Sequence, residues 1–251
     1  MNLNEFFQSI PRAAAAFSGG TDSAFLLWAA KHYGCDIHAY YVKTVFQPAF
    51  ELEDAKRLAK ELDVPMTIIE TDILAVEKAR ENGPDRCYHC KKALFLALRE
   101  QAERDGFPVL LDGTNASDDA NDRPGMQALR ELNIRSPLQE CGISKEEVRR
   151  MSREAGLFTW NKPAYACLAT RIPTGTAIRR SDLERTEAAE SRLAALGFTD
   201  FRVRISGENA RLQVTEDQTA LVLEKRADIL EALKPYFTGV LLDMEPRQKS
   251  R

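Results

Sequence analysis

The chain has no long apolar run. Nothing in it approaches the roughly 18 to 20 consecutive apolar residues that cross a bilayer, and the first ten residues lack the basic start and apolar core of a targeting peptide. A cytoplasmic protein with no membrane partner is therefore expected. Strong charge of one sign is missing too: a formal net charge of -3 supplies no bulk basic field of the kind that drives non-specific nucleic-acid binding, so no nucleic-acid partner is expected. Cysteines number five (Cys35, Cys87, Cys90, Cys141 and Cys167), an odd count that argues against a disulfide framework and leaves them of interest as thiols. Neither a Walker A string nor the dinucleotide G-x-G-x-x-G occurs, and no internal repeat or low-complexity tract is visible beyond the short run Ala13 to Ala16.

What is present is enough apolar residue, 44% of 251, to build a core for one large domain and a smaller one. Strand patterns at Ala13 to Phe17, Ile37 to Val42, Val64 to Ile69 and Pro108 to Leu111 alternate with helical patterns at Ala24 to Lys31, Glu51 to Leu62, Ile73 to Arg80 and Lys91 to Asp105. Such alternation predicts an α/β fold with a parallel sheet covered on both faces. Gly113 to Gly125 is too long and polar for a routine connection and reads as a site loop. Ser144-x-x-Glu147 is a capping box opening a helix that ends at Gly156. After a composition break at Asn161 to Gly175, helices Ser181 to Leu196 and Gln218 to Leu233 with strands Phe201 to Ile205, Ala210 to Val214 and Gly239 to Leu242 predict a small α+β domain. The expected division is 1–170, carrying the nucleotide chemistry, and 171–251, serving substrate binding and oligomerisation.

The first strand runs through Phe17-Ser18-Gly19-Gly20-Thr21-Asp22-Ser23 into a helix. Glycines there leave backbone N–H groups unobstructed at the positive end of a helix dipole, which makes an anion cradle. The string S-G-G-x-D-S resembles the signature of the PP-loop ATP pyrophosphatases, which split ATP into AMP and pyrophosphate to adenylate an oxygen of a substrate. That resemblance implies that Ser18, Gly19, Gly20 and Ser23 hold the pyrophosphate end of ATP and that Asp22 helps to place Mg²⁺.

Cys87-Tyr88-His89-Cys90 is a C-x-x-C at the opening of a helical stretch, and Cys167 stands alone downstream. Thiols at a helix start suit soft metals. A four-ligand zinc site lacks its second pair, whereas three thiolates suit a 4Fe-4S cluster with one iron left open; a redox pair with an unrelated core Cys167 is the other reading.

Further strings resemble the LarE branch of the PP-loop enzymes: Asn82-Gly-Pro-Asp-Arg-Cys-Tyr-His-Cys-Lys-Lys92, Leu111-Asp-Gly-Thr-Asn115, Asn121-Asp-Arg-Pro-Gly125, Arg135-Ser-Pro-Leu138, Asn161-Lys-Pro163 and Cys167-Leu-Ala-Thr-Arg-Ile-Pro-x-Gly175. Members of that branch adenylate a carboxylate of pyridinium-3,5-biscarboxylic acid mononucleotide and replace its oxygen with sulfur, on the way to the nickel-pincer cofactor of lactate racemase. One type gives up the sulfur of its own cysteine; the other carries a 4Fe-4S cluster on three cysteines. Counted without gaps, the donor position of the first type falls at Ala166, and that type lacks cysteines at 87 and 90. The resemblance therefore implies the cluster type, on Cys87, Cys90 and Cys167, with Cys167 as sacrificial donor the alternative.

The resemblance also implies that Arg202 and Arg204, which alternate along one strand and share a face, bind the substrate phosphate with Glu190 nearby. Asp112, Asn115, Asp118 and Arg123 are expected at the mouth of the site, Lys91 facing the same cleft and Arg135 at the phosphates or AMP. Asp22, Lys91, Asp118 and Cys167 are the candidate catalytic residues. Expected ligands are ATP, Mg²⁺, the 4Fe-4S cluster and a small nucleotide substrate, in a homo-oligomer. Two other functions remain open at this point: a tRNA-thiolating PP-loop enzyme, and a non-catalytic metal- or nucleotide-binding module.

Overall fold

A computed structural model describes residues 1–118 and 124–248. The chain divides into two compact units, the first comprising Met1–Val76 and Asp85–Lys162, the second Glu77–Pro84 and Pro163–Arg251. The expected division at 170 and 171 compares with one at Lys162 and Pro163, and the short stretch Glu77–Pro84 belongs with the C-terminal part.

In the first unit, strands β1 (Arg12–Ala16), β2 (Asp36–Lys43), β3 (Met66–Glu70) and β4 (Leu110–Leu111) form the expected parallel sheet in the order β3-β2-β1-β4. β1 is almost entirely alanine, a poor strand former by composition, and burial holds it in place. Ala13, Ala15 and Phe17 point into one core, with α1 (Leu3–Ser9), α2 (Thr21–His32) and α3 (Ala49–Glu61), whereas Ala14 and Ala16 face the other. Small side chains on the central strand let helices on both faces approach closely.

The short α4 (Glu77–Arg80) lies in the second unit, so the helix expected over Ile73 to Arg80 is instead a 3₁₀ turn at Ile73–Ala75 followed by a separate piece. α5 (Arg86–Arg104) and α6 (Pro124–Glu131) cover the second face of the sheet through Phe95, Leu98, Ala102, Met126 and Leu129. α5 starts earlier than its apolar periodicity predicts, which puts Cys87 and Cys90 inside its first turns. α7 (Pro137–Glu140) and α8 (Lys145–Glu154) follow, α8 opened by the predicted capping box of Ser144 and Glu147. Residues 119–123, including the expected mouth residue Arg123 and much of the Asn121–Gly125 string, lie outside the described residues.

The second unit has the expected α+β character. Strands β5 (Arg202–Ser206) and β6 (Asn209–Gln213) are antiparallel, and β7 (Gly239–Leu242) adds parallel to β6. α9 (Arg180–Ala195), α10 (Thr219–Glu224) and α11 (Arg226–Leu233) complete it, the last two replacing the single helix expected over Gln218 to Leu233. Its core joins Leu183, Leu193, Val203, Leu212, Ile229 and Leu233. Asn82, in a left-handed conformation at φ 59°, belongs to this unit: its amide donates to the carbonyls of Pro173 at 2.9 Å and Thr176 at 3.1 Å.

Candidate active site

The strand order reverses between β1 and β4, and in such sheets ligands bind beyond the carboxyl ends of the strands at that crevice. A cavity of about 300 Å³ lies there, walled by Phe17, Ser18, Gly20, Asp22 and Ser23, by Asp112 to Thr114 after β4, by Tyr40 to Val42 of β2 and by Lys91, Leu94, Phe95 and Leu98 of α5. Its apolar wall suits a planar base and its polar end suits phosphate.

Gly19 adopts φ 72°, and a Cβ there would stand 3.0 Å from the Glu51 carbonyl oxygen, so both backbone freedom and space demand glycine. Gly20 caps α2 without a side-chain hydrogen bond, leaving the N–H groups of the first turn uncovered by any capping side chain. Ser18 and Ser23 hydroxyls lie 3.1 Å apart and brace the loop. Gly113 meets this turn from the other side, where a Cβ would be 2.9 Å from the Ser23 nitrogen.

Asp22 accepts from Lys145 Nζ at 2.5 Å and from Asn115 Nδ2 at 3.3 Å. Asp118 accepts from the Asn115 backbone at 3.2 Å and lines the cavity. Asp112 is buried and accepts from the hydroxyls of Thr114 and Ser136, both at 2.5 Å, which makes it a post for the loop after β4. The stem of Lys91 passes beneath Gly125 into the cavity wall, and among the described residues its ammonium has no hydrogen-bond or ion-pair partner. The Arg135 guanidinium is bound to Glu140 and lies over the Phe6 ring at 4.9 Å, and Arg135 is not among the residues that wall the cavity.

A strap that local sequence pattern did not reveal ties the loop from behind. Lys162 donates to the Gly19 carbonyl at 3.2 Å and pairs with Asp54 at 2.7 Å, Thr21 donates to the Thr159 carbonyl at 2.8 Å, and Arg149 holds the carbonyls of Trp160 and Lys162. Lys162→Met is expected to raise the KM for ATP about tenfold, the equivalent of one charged hydrogen bond, with kcat less affected; ATP titrations of pyrophosphate release measure it.

Cys87 is exposed and Cys90 half-buried, three residues apart on one face of α5. The side chains between them are engaged elsewhere, Tyr88 with Glu131 at 2.7 Å and His89 with Asp85 at 3.0 Å. Arg86 places a guanidinium nitrogen 3.5 Å from the Cys87 sulfur. Two accessible thiols at this spacing fit a soft metal centre as two of its ligands. Cys167, the third expected ligand, is half-buried in the second unit. Among the described residues no group of three or more histidine, cysteine, aspartate or glutamate side chains is gathered as a metal site.

In the second unit Arg202 and Arg204 do share a face of β5. Arg202 is buried, donates to the Ala164 carbonyl at 2.9 Å and sits over the Tyr165 ring at 5.0 Å; Arg204 donates to the Thr170 carbonyl at 2.6 Å and to Gln213. Burial, and then the neighbouring Arg171 and Arg247 charges, push Arg202 down to about 10. Burial and Arg171, Arg211 and Arg247 lower Arg204 in the same direction. Carboxylates stand among these guanidiniums, Asp200 at 3.7 Å from Arg202 and 2.9 Å from Arg247, and Asp243 at 3.6 Å from Arg211. Glu190 stands beside β5 on α9: its carboxylate accepts from Arg171 at 2.8 and 3.0 Å, from the Val203 backbone at 2.9 Å and from Tyr165.

Similarity to known proteins agrees with this geometry. The profile of the family described as "Queuosine biosynthesis protein QueC" matches residues 12–81, the stretch from β1 through α4. The pyridinium-3,5-bisthiocarboxylic acid mononucleotide synthase of Lactiplantibacillus plantarum is 34% identical over 83% of this chain and 76% of its own. The chain belongs to the LarE-type family of PP-loop sulfur transferases. The family likeness extends to uncharacterized protein slr1717 of Synechocystis, 34% identical over 100% of this chain and 95% of that one, and to uncharacterized protein MJ0830 of Methanocaldococcus jannaschii, 30% identical over 97% and 93%. LarE-type membership accounts for a nucleotide cavity at the PP-loop and supports ATP use in sulfur transfer.

Proposed function

We propose that this LarE-type protein adenylates a carboxylate of pyridinium-3,5-biscarboxylic acid mononucleotide, releasing pyrophosphate, and then exchanges the activated oxygen for sulfur to form the thiocarboxylate of the nickel-pincer cofactor pathway. The observation that carries this reading is the cavity at the β1–β4 crevice, where the PP-loop, the carboxylates of Asp22, Asp112 and Asp118, and a lysine, Lys91, without a partner among the described residues converge. The first-turn N–H groups of α2 with Ser18, Gly19, Gly20 and Ser23 take the terminal phosphates of ATP, and Asp22 and Asp118 hold Mg²⁺. A carboxylate oxygen of the substrate attacks the α-phosphorus, the bond to pyrophosphate breaks, and Lys91 meets the charge that develops on the phosphates. In the second unit Arg202 and Arg204 bind the substrate phosphate, whose charge offsets the like charges that add to burial in lowering both arginines.

Cys87, Cys90 and Cys167 would hold the 4Fe-4S cluster as thiolates. When bound, such a cluster supplies an open iron position for an inorganic sulfur donor. The protein acts in the cytoplasm as a homo-oligomer; no helix among the described residues is long and apolar enough to cross a membrane.

Anaerobically purified protein, given ATP, Mg²⁺ and the dicarboxylate nucleotide, is expected to release AMP and pyrophosphate in equal amounts and to form the thiocarboxylate. Iron and acid-labile sulfide should accompany a visible chromophore. Failure to release pyrophosphate with any carboxylate substrate would overturn the assignment. An iron-free protein that completes one turnover and then loses the mass of H₂S would make Cys167 the sulfur donor.

A further inference from the structure

The loop that carries Cys167 is closed on itself by one buried arginine. Arg171 is 1% exposed and its fork is spent in two directions. Nε and one terminal nitrogen bind the two oxygens of Glu190 at 2.8 and 3.0 Å, while the other terminal nitrogen donates to the Ala166 carbonyl at 2.9 Å and to the Thr170 hydroxyl at 2.8 Å. That hydroxyl in turn donates to the Cys167 carbonyl at 2.8 Å, which also accepts from the Thr170 backbone at 3.0 Å. Tyr165 closes the circuit: its hydroxyl donates to Glu190 and its ring lies 4.6 Å beneath the Arg171 guanidinium. Leu168 and Ala169, directly after the cysteine, are fully buried, whereas Cys167 itself is only half-buried.

Burying an ion pair of this kind adds little stability over an apolar pair of equal volume, because both charges must be stripped of water. What it adds is direction: a planar fork accepts its partners in one geometry only. Here that geometry fixes the peptide groups on both sides of one thiol.

We propose that Arg171, locked by Glu190 and Tyr165 and relayed through Thr170, is the positioning residue that sets how Cys167 is presented for sulfur transfer. The proposal rests on the reading that Cys167 takes part in that chemistry, as ligand or as donor. It also gives Glu190 a task, as the anchor of the strut.

The test compares Arg171→Lys, which keeps the charge but loses the fork, with Thr170→Val, which removes only the relay and sits at a half-buried position. Two readouts are taken: the rate of iodoacetamide labelling of Cys167 in iron-depleted protein, by peptide mass spectrometry with Cys87 and Cys90 as internal references, and steady-state sulfur transfer. In both variants Cys167 labelling is expected to change at least about threefold while the reference thiols keep their rates. The kcat for thiocarboxylate is expected to fall about tenfold or more with the KM for ATP unmoved, the cost of a misplaced reacting group. Unchanged labelling and kcat in folded Thr170→Val overturn the proposal, and that variant decides the matter if Arg171→Lys does not fold. Full sulfur transfer by Cys167→Ala would instead overturn the functional reading on which the strut depends, whatever the labelling rates.

Discussion

Gly113→Ala is expected to lower pyrophosphate-forming turnover by about two orders of magnitude, the scale that a displacement of about 1 Å in an active site costs. The added methyl would stand 2.9 Å from the Ser23 nitrogen and 3.2 Å from the Asp22 carbonyl carbon, backbone atoms of the PP-loop turn proposed to receive the phosphates. Neither can yield without moving the cradle. Gly113 does not have a positive φ, so the effect is steric, with an overpacking cost of about 1–3 kcal/mol seen in thermal melts. Two controls separate the causes. Gly34 has φ 80° and open space around its would-be Cβ, so Gly34→Ala costs about 1 kcal/mol of stability and leaves ATP turnover alone. At Gly125 the methyl meets Cδ of Lys91 at 2.8 Å, a flexible stem, so Gly125→Ala acts through the lysine and lowers kcat for pyrophosphate release without unfolding the protein.

Substituting Cys87 or Cys167 with alanine is expected to abolish thiocarboxylate formation and the visible chromophore together while adenylation continues. The cavity to which the proposal assigns adenylation has neither residue in its wall. Loss of the product with persistent release of pyrophosphate, followed by mass spectrometry of the reaction and by iron counts on each variant, is the expected pattern. If Cys87→Ala keeps one full turnover and the protein then weighs less by H₂S, the cluster is not the source of sulfur. Equal loss of adenylation in both variants would show that the thiols serve the nucleotide site, contrary to the roles assigned above.

The parts of this arrangement that are local in sequence were legible in it. Ser18 to Ser23 could be placed because a strand, two glycines and a helix start leave few conformations, and the sheet followed from alternating apolar patterns. Where element limits slipped, a tertiary partner had overridden periodicity. The stretch Ile73 to Arg80 breaks because its second half joins the other unit, and α10 and α11 part at Lys225, whose backbone leaves the helical region. The contacts that set the site reach far along the chain: Lys145 meets Asp22 across 123 positions and Lys162 meets Gly19 across 143. No spacing rule reports such pairs. The pairing of Arg135 with Glu140, five residues on, is likewise set by a short turn that no spacing rule reports. Arg171 stands in the string that carries Cys167, but its burial and its pairing with Glu190, nineteen residues on, are visible only in the fold.

Asn82 must wait during synthesis. The carbonyls that receive its amide, those of Ile172, Pro173 and Thr176, are translated ninety or more residues later, so the stretch around it leaves the ribosome without acceptors while the early parallel sheet can already assemble. A fragment cut after Lys162 to isolate the nucleotide half would carry the same stranded segment. Excising residues 77–84 along with the C-terminal portion is therefore the better design for obtaining that half as a soluble piece.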